Sequence, residues 1–165
     1  MLEMQHIINQ VNKLLIKNNK TIGLAESCTG GLLGTLLTQI SGSSRYFILG
    51  VITYSNKAKE AVLKIPSRVI AQKGAVSEEV ASLMAQNIRK IASADFGIGI
   101  TGIAGPTGGT TQKPVGTVYI AIDSAQKNIC QRFHFNGRRI TVRKKAALKS
   151  LELLLGMLKT MNFEL

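Results

Sequence analysis

The stretch Ala25-Glu26-Ser27-Cys28-Thr29-Gly30-Gly31 follows the apolar run Thr21-Ile22-Gly23-Leu24 and precedes a helical pattern of leucines. An apolar run that ends in polar residues and glycines is typical of a turn from a β-strand into an α-helix. The first N–H groups of such a helix have no partner inside it, so a nucleophile or an anion is well placed at this turn. Ser27 or Thr29 is equally well explained as an ordinary N-cap, and this stretch alone does not decide between the two interpretations.

The bulk composition predicts one globular domain that spans residues 1–165. The chain has 165 residues, of which 45% are hydrophobic and 18% are charged. This length and apolar content can supply one sizeable core. No apolar run is long enough to cross a bilayer, and residues 1–20 are typical of an amphipathic helix rather than of a signal peptide. Two cysteines make no disulfide framework, so we expect a reduced, cytoplasmic setting.

The net charge of +12 indicates an anionic partner. Much of the positive charge lies between Arg132 and Lys149, a region without a single acidic residue. Aromatic residues are few, with three Tyr, five Phe and no Trp, so recognition of nucleic-acid bases by stacking is poorly supported. A small anionic ligand is therefore favoured over nucleic acid.

Helical and strand patterns alternate along the first two-thirds of the chain, and a hairpin-like pair of strands and a long helix follow. This order predicts a three-layer α/β/α sandwich with a mixed, mostly parallel sheet. Ligands of such folds lie beyond the carboxyl ends of parallel strands. Three polar or glycine-rich segments follow strands, namely 26–31, 54–59 and 101–114, and we expect the functional site where they converge. The predicted helices are 3–18, 32–40, 56–64, 77–92 and 140–160, with a turn or short helix after Pro66. Asn56 and Ser77 are the predicted N-caps of the third and fourth of these helices. The predicted strands are 21–26, 46–54, 96–101, 115–122 and 129–135.

The polar side chains of the sequence exclude several kinds of site. The two histidines, His6 and His134, lie outside the three segments, as do Asp95 and Asp123. A Ser-His-Asp triad is therefore disfavoured. The cysteines and histidines lack the spacing of metal ligands, and no phosphate-binding loop of the Walker type occurs. The sequence thus predicts neither a metal nor a cofactor.

The catalytic arrangement that remains possible is a serine paired with a lysine. The segment Tyr54-Ser55-Asn56-Lys57-Ala58-Lys59, which follows the second strand, contains two candidate lysines. A lysine serves as a general base when burial lowers its pKa. Lys57 and Lys59 lie about 200° apart around a helix, so only one of them can face Ser27, and spacing alone does not choose. The alternative is that both lysines are solvated and that Tyr54 is a core residue with a polar tip. Cys28 is a second candidate nucleophile, although a small buried cysteine is the commoner role.

The loop from Thr101 to Thr111 is the other informative segment, with glycines that allow close approach of a ligand and threonines that supply hydroxyls. It could hold a phosphate or a ribose, or form part of an oxyanion site. Arg139 and Arg143 lie one helical turn apart in the last helix. Either could bind an anionic group through paired N–H donors.

Together these segments resemble the CinA C-terminal domain family over nearly the whole chain. The resemblance rests on Ala25-Glu26-Ser27-Cys28-Thr29-Gly30-Gly31, on Tyr54-Ser55-Asn56 with Lys59, and on Thr101-Gly102-Ile103-Ala104-Gly105-Pro106. Further matches are Gly42-Ser43-Ser44, Gly74-Ala75-Val76-Ser77, Gly108-Gly109-Thr110, Lys113-Pro114-Val115-Gly116-Thr117-Val118, and Phe135-x-Gly137-x-Arg139 with Arg143. The family pattern Tyr-Ser-Asn-x-x-Lys selects Lys59 rather than Lys57.

The resemblance implies a nicotinamide-nucleotide amidohydrolase, which converts nicotinamide mononucleotide (NMN) to nicotinate mononucleotide and ammonia without a metal. Many family members carry a further N-terminal domain, so this sequence is expected to be a stand-alone form, and a homo-oligomer is expected. A non-catalytic nucleotide-binding module of the same fold is the alternative. The implied catalytic residues are Ser27 as nucleophile, Lys59 as base and Tyr54 as the residue that orients the lysine or relays its proton. The implied substrate-binding residues are Thr29, Gly30, Gly31, Thr101, Gly102, Ala104, Gly105, Gly109, Thr110, Arg139 and Arg143.

Overall fold

A five-stranded sheet forms the middle layer of the fold, in the strand order β2-β1-β3-β4-β5. The computed structural model describes residues 2–161, with side chains from residue 4 onward. The strands are β1 (Ile22–Glu26), β2 (Phe47–Ile52), β3 (Phe96–Gly102), β4 (Thr117–Ser124) and β5 (Ile129–His134). The helices are α1 (Leu2–Lys17), α2 (Leu32–Thr38), α3 (Asn56–Leu63), α4 (Ser67–Lys73), α5 (Glu78–Ala92) and α6 (Arg139–Thr160), and a 3₁₀ turn spans Ser43–Arg45.

The direction of the strands confirms the predicted mixed sheet. β1 pairs in parallel with both β2 and β3, whereas β4 is antiparallel to β3 and to β5. Four of the five described strands therefore run the same way, and β4 alone runs against them. Parallel neighbours need crossover connections, and the chain supplies helices for them.

Helices cover both faces of the sheet, which confirms the predicted three layers. The larger core lies between the sheet and α1, α2 and α6. On the other face, α5 packs with α3 and α4 against β1, β2 and β3. Close approach of α5 to β3 depends on Gly97 and Gly99. A Cβ atom at Gly97 would lie 2.0 Å from the Ala85 carbonyl oxygen, and one at Gly99 would lie 2.4 Å from the Ala81 carbonyl oxygen. The alternating isoleucines of β3, Ile98 and Ile100, point into the larger core.

Two helix starts test the predicted N-caps. Ser77 caps α5, with its Oγ atom 3.3 Å from the N–H nitrogen of Val80, as predicted. The prediction for α3 was wrong by one position, because Ser55 is the cap and accepts from the Ala58 N–H at 3.0 Å. Asn56 is instead the first residue of the helix. None of the described helices has the combined length and apolarity that crossing a membrane requires.

The parallel strands β1, β2 and β3 end at one edge of the sheet, and this edge positions the site. The pairing of Glu26 with both Ile52 and Ile100 aligns the three carboxyl ends. Segments 26–31, 54–59 and 101–114 leave the sheet from this edge, as the sequence predicted. A part of each segment therefore reaches one common place at this edge.

Candidate active site

Ser27 lies at the first turn beyond β1, where it is 7% exposed. Its N–H donates to the Ile100 carbonyl oxygen at 3.0 Å, which continues the β1–β3 pairing by one residue. The N-cap residue of α2 is Gly31, in the left-handed conformation, and it has no side-chain cap of its own. The interpretation of Ser27 or Thr29 as an ordinary N-cap is therefore wrong, and the Ser27 hydroxyl stays available for chemistry.

The carboxylate of Glu26 caps α2 instead. Its two oxygens accept from the N–H groups of Gly31 at 3.0 Å, Leu33 at 3.2 Å and Gly34 at 2.8 Å. The residue is only 3% exposed, so these bonds replace the hydration of its carboxylate. An anion thus occupies the positive end of α2, but this anion belongs to the protein itself.

Lys59 approaches Ser27 from α3. Its Nζ atom lies 3.1 Å from Ser27 Oγ and 2.8 Å from the Thr53 carbonyl oxygen, with the Tyr54 carbonyl oxygen at 3.4 Å. The residue is 1% exposed, because Lys59 and Leu63, four positions apart, form the inward face of α3. Lys57 is exposed on the other side of this helix, so the structure selects the same lysine as the family pattern.

Burial lowers the pKa of Lys59 from its usual value of 10.5, because the apolar surroundings disfavour the charged ammonium. The negative charge of a Cys28 thiolate would raise this pKa, but more weakly than burial lowers it. A neutral amine has two N–H donors and one lone pair. In its neutral form, Lys59 would donate both N–H groups to the two carbonyl oxygens, and its lone pair would be free to accept the hydroxyl proton of Ser27.

A cavity of about 260 Å³ opens next to these two side chains. Its walls are Ser27 and Lys59 at the bottom, Tyr54 and Arg139 at the rim, and main chain of the glycine-rich loop. Eight of the predicted site residues line this cleft: Ser27, Tyr54, Lys59, Thr101, Gly102, Ala104, Gly105 and Arg139. Six predicted site residues are not part of its wall: Thr29, Gly30, Gly31, Gly109, Thr110 and Arg143.

Arg139 is the cation at the rim of the cleft. One of its terminal nitrogens donates to the Gly105 carbonyl oxygen at 2.9 Å, and the other donates to the Tyr54 hydroxyl at 2.6 Å. Tyr54 is 57% exposed, so its interpretation as a core residue is wrong. Tyr54 contacts Lys59 through its main-chain carbonyl oxygen, whereas its phenol is bound to Arg139.

Arg143 is engaged elsewhere, although it lies one turn from Arg139. Its Nε and a terminal nitrogen both donate to the Thr29 carbonyl oxygen, at 3.2 and 2.9 Å. Thr29 is fully buried, and its hydroxyl has no partner within the described residues. The structure thus places Thr29 and Arg143 behind the cleft rather than in it.

Cys28 has the wrong electrostatic environment for a nucleophile. It is 4% exposed, and burial raises the pKa of its thiol to about 12. A thiol with this pKa carries almost no thiolate at neutral pH, and thiolate is the reactive form. Cys28 is therefore a small packed residue of the cleft wall.

The family model of the CinA C-terminal domain matches residues 4–158. The chain belongs to the CinA C-terminal domain family. A CinA-like protein from Desulfotalea psychrophila is 48% identical over 144 residues, which are 87% of this chain and 35% of that protein. A crystal structure of a CinA superfamily protein from Klebsiella pneumoniae is 32% identical, with a TM-score of 0.92 over 96% of this chain and 99% of that one. A competence/damage inducible protein from Agrobacterium tumefaciens gives 31% identity and a TM-score of 0.92 over 95% and 96% of the two chains.

These comparisons show the family and the fold of the CinA C-terminal domain, and their names state no reaction. The chain spans about a third of the length of the curated relatives that it matches. Because one fold can carry different functions, the function depends on the residues of the site itself.

Some residues of this CinA C-terminal domain site escaped the sequence analysis. Ala75, Val76, Thr107 and Gly108 also line the cleft. The first two belong to Gly74-Ala75-Val76-Ser77, which the sequence indicated as a helix start and as a family match but not as part of the site. In the structure, the Ala75 carbonyl oxygen accepts from Thr101 Oγ1 at 2.8 Å. Thr107 and Gly108 belong to the loop from Thr101 to Thr111, whose glycines and threonines were a signal in the sequence. The capping role of Glu26 had no local signal, because a capping side chain usually lies at the N-cap itself.

Proposed function

We propose that this chain hydrolyses the carboxamide of NMN to nicotinate mononucleotide and ammonia. The observation that supports this most directly is the 3.1 Å contact between Lys59 Nζ and Ser27 Oγ at the base of the cleft. A serine next to a lysine of lowered pKa is an activated nucleophile. The family resemblance supplies the pyridine amide as the substrate class.

In the first half of the reaction, Ser27 Oγ attacks the amide carbon and its proton passes to Lys59 Nζ. The carbon–nitrogen bond of the amide then breaks, and Lys59 returns the proton to the leaving ammonia. The product of this half is an ester between Ser27 and the nicotinoyl group. A water molecule attacks the ester with Lys59 again as base, which releases the acid and restores the serine.

The main chain of the turn is proposed to stabilise the oxyanion. The N–H of Gly30 donates to the Ser27 carbonyl oxygen, and the N–H of Gly31 donates to the Glu26 carboxylate. Cys28 is the next residue of this turn and lines the cleft, so its N–H is the donor that we assign within the turn. The loss of one such donor costs about 3 kcal/mol of barrier in hydrolases of this kind.

The substrate phosphate is assigned to Arg139. Both arginines donate to protein groups, but the Arg139 guanidinium lines the cleft and Arg143 does not. The positive charge of the protein steers an anionic nucleotide toward the site. The Tyr54 phenol is assigned to hold Arg139, and the Tyr54 carbonyl oxygen to orient Lys59.

Ammonia release from NMN, nicotinamide riboside and nicotinamide tests the proposal. The wild-type chain should release ammonia fastest from NMN, and Lys59→Met should lose at least about a thousandfold in kcat, because the serine then lacks its base. Tight binding of NMN without ammonia release by the wild type would contradict hydrolysis and favour a nucleotide-binding module. A homo-oligomer and a cytoplasmic location stay predictions. Gel filtration with light scattering tests the first, and cell fractionation tests the second.

A further inference from the structure

The turn that carries Ser27 is held by two charged side chains, one on each side. Glu26 binds the N–H groups that follow the turn, at Gly31, Leu33 and Gly34. Arg143 binds the Thr29 carbonyl oxygen inside the turn. Neither side chain lines the cleft. Their hydrogen bonds are directed to the protein's own main chain, which indicates a role in the geometry of the turn.

A buried carboxylate is costly unless hydrogen bonds replace its hydration. Glu26 meets this condition with three N–H donors at 2.8 to 3.2 Å from positions at the start of α2. The result is a fixed distance between the end of β1 and the first turn of α2. Ser27 lies directly between these two elements, so the cap restricts its position.

Arg143 acts on the opposite side of the turn. Two nitrogens of its planar guanidinium converge on the Thr29 carbonyl oxygen, at 3.2 and 2.9 Å. Because the guanidinium is rigid, this pair of bonds restricts the orientation of the peptide group between Thr29 and Gly30. A terminal nitrogen of the same guanidinium would lie 3.2 Å from a Cβ atom at Gly30, so Arg143 also covers the outer side of the turn.

We infer that Glu26 and Arg143 are positioning residues that hold the 27–31 turn, and with it Ser27, in register with Lys59. This inference rests on the proposed function for the identity of the substrate, whereas the contacts of the two side chains do not depend on it. The start of α2 is already occupied by Glu26, so it offers no site for the substrate phosphate, which the proposed function assigns to Arg139.

Kinetics on two substrates separate positioning from phosphate binding. We expect Arg143→Gln to lower kcat about 10- to 100-fold, because a displacement of about 1 Å at the reacting atoms has an effect of this size. KM should change less than about threefold, and the loss should be equal for NMN and for nicotinamide riboside, which lacks the phosphate. Lys144→Gln is the matched control, since Lys144 is exposed on the same helix and the charge change is the same. An unchanged kcat, or a loss confined to the KM for NMN, would overturn the inference.

A second readout does not depend on the identity of the substrate. A sulfonyl fluoride reagent labels an activated serine when the serine oxygen displaces fluoride, and mass spectrometry gives the rate at Ser27. We expect Arg143→Gln to slow this labelling at least about tenfold, with Lys144→Gln unchanged. Wild-type labelling without ammonia release would remove the proposed function and leave this comparison intact. Equal rates in the wild type and Arg143→Gln, or no labelling of wild-type Ser27, would overturn the positioning role.

Conservative variants guard against loss of folding. Arg143→Lys retains the charge and one donor, so it should recover part of the labelling rate that Arg143→Gln loses. Glu26→Gln retains the shape but places an NH₂ group against the N–H groups of α2, and it should slow labelling to a similar extent. Thermal denaturation of each variant confirms that the chain is folded at the assay temperature. Full labelling by a folded Glu26→Gln variant would contradict its part in holding the turn.

Discussion

Two cavities of similar size differ in the chemistry of their walls. The cleft at the carboxyl ends of β1 to β3 measures about 260 Å³, and a second cavity between α5 and the β4–β5 hairpin measures about 300 Å³. In the second cavity the buried charge is paired, because Arg89 Nε lies 2.5 Å from the Asp123 carboxylate. In the cleft Lys59 is buried, and no salt bridge is found for it among the described residues. The difference teaches that a buried amine without an ionic partner indicates a candidate site better than cavity volume does.

The topology accounts for this difference. The cleft lies where parallel strands end and their loops diverge, so three separate segments contribute to it. The second cavity lies beside strands rather than beyond their ends, between α5 and the antiparallel pair. Loops can be rearranged for function without disturbing the core, whereas a strand face mainly serves packing.

The largest expected effect compares one serine from each cavity. Ser27→Ala should lower ammonia release from NMN at least about a thousandfold, because the proposed nucleophile is lost. Ser82→Ala, in the wall of the second cavity, should change it less than about twofold. A comparable loss in both variants, or near wild-type turnover by Ser27→Ala, would remove the distinction between the two cavities.

A smaller effect is expected at the rim of the cleft. Arg139→Gln should raise the KM for NMN about 10- to 100-fold, which is the weight of one or two charge-assisted hydrogen bonds to a phosphate. The KM for nicotinamide riboside should change little, since it has no phosphate. Steady-state kinetics on the two substrates give the comparison. An equal rise for both would show that Arg139 binds another part of the substrate.

The smallest effect concerns stability and pH. The folded chain holds Lys59 with a lowered pKa, so above that pKa the unfolded chain binds more protons than the folded one. The free energy of unfolding of the wild type should therefore rise relative to that of Lys59→Met as the pH increases from about 7 to about 10. Urea unfolding of both chains at several pH values measures this difference. A constant or falling difference would indicate that Lys59 titrates normally in the folded chain.

Much of the fold follows from local pattern. The alternation of helical and strand patterns predicted the layers, and polar segments after strands predicted the edge of the sheet that carries the cleft. Lys59 is a more instructive example. Its spacing of four from Leu63 places both on one face of α3, but which face is turned inward depends on the packing of α3 against α5.

The contacts that could not be predicted join distant parts of the chain. Arg143 and Thr29 are 114 positions apart, and Arg139 and Tyr54 are 85 apart. No local pattern specifies such pairs. Such contacts also explain part of the excess of basic over acidic residues. Several cationic side chains donate to main-chain carbonyl oxygens, namely Lys113, Arg132, Arg143 and Lys145.

The pKa of Lys59 in the folded chain tests the central claim most directly. Carbon-13 labelling of lysine ε-carbons gives one NMR resonance per lysine, and the Lys59 resonance is the one missing from Lys59→Met. We predict that this resonance titrates at a pH clearly below the ordinary lysine value of 10.5, apart from the exposed lysines. Titration of Lys59 together with the exposed lysines near that value would contradict an uncharged base beside Ser27.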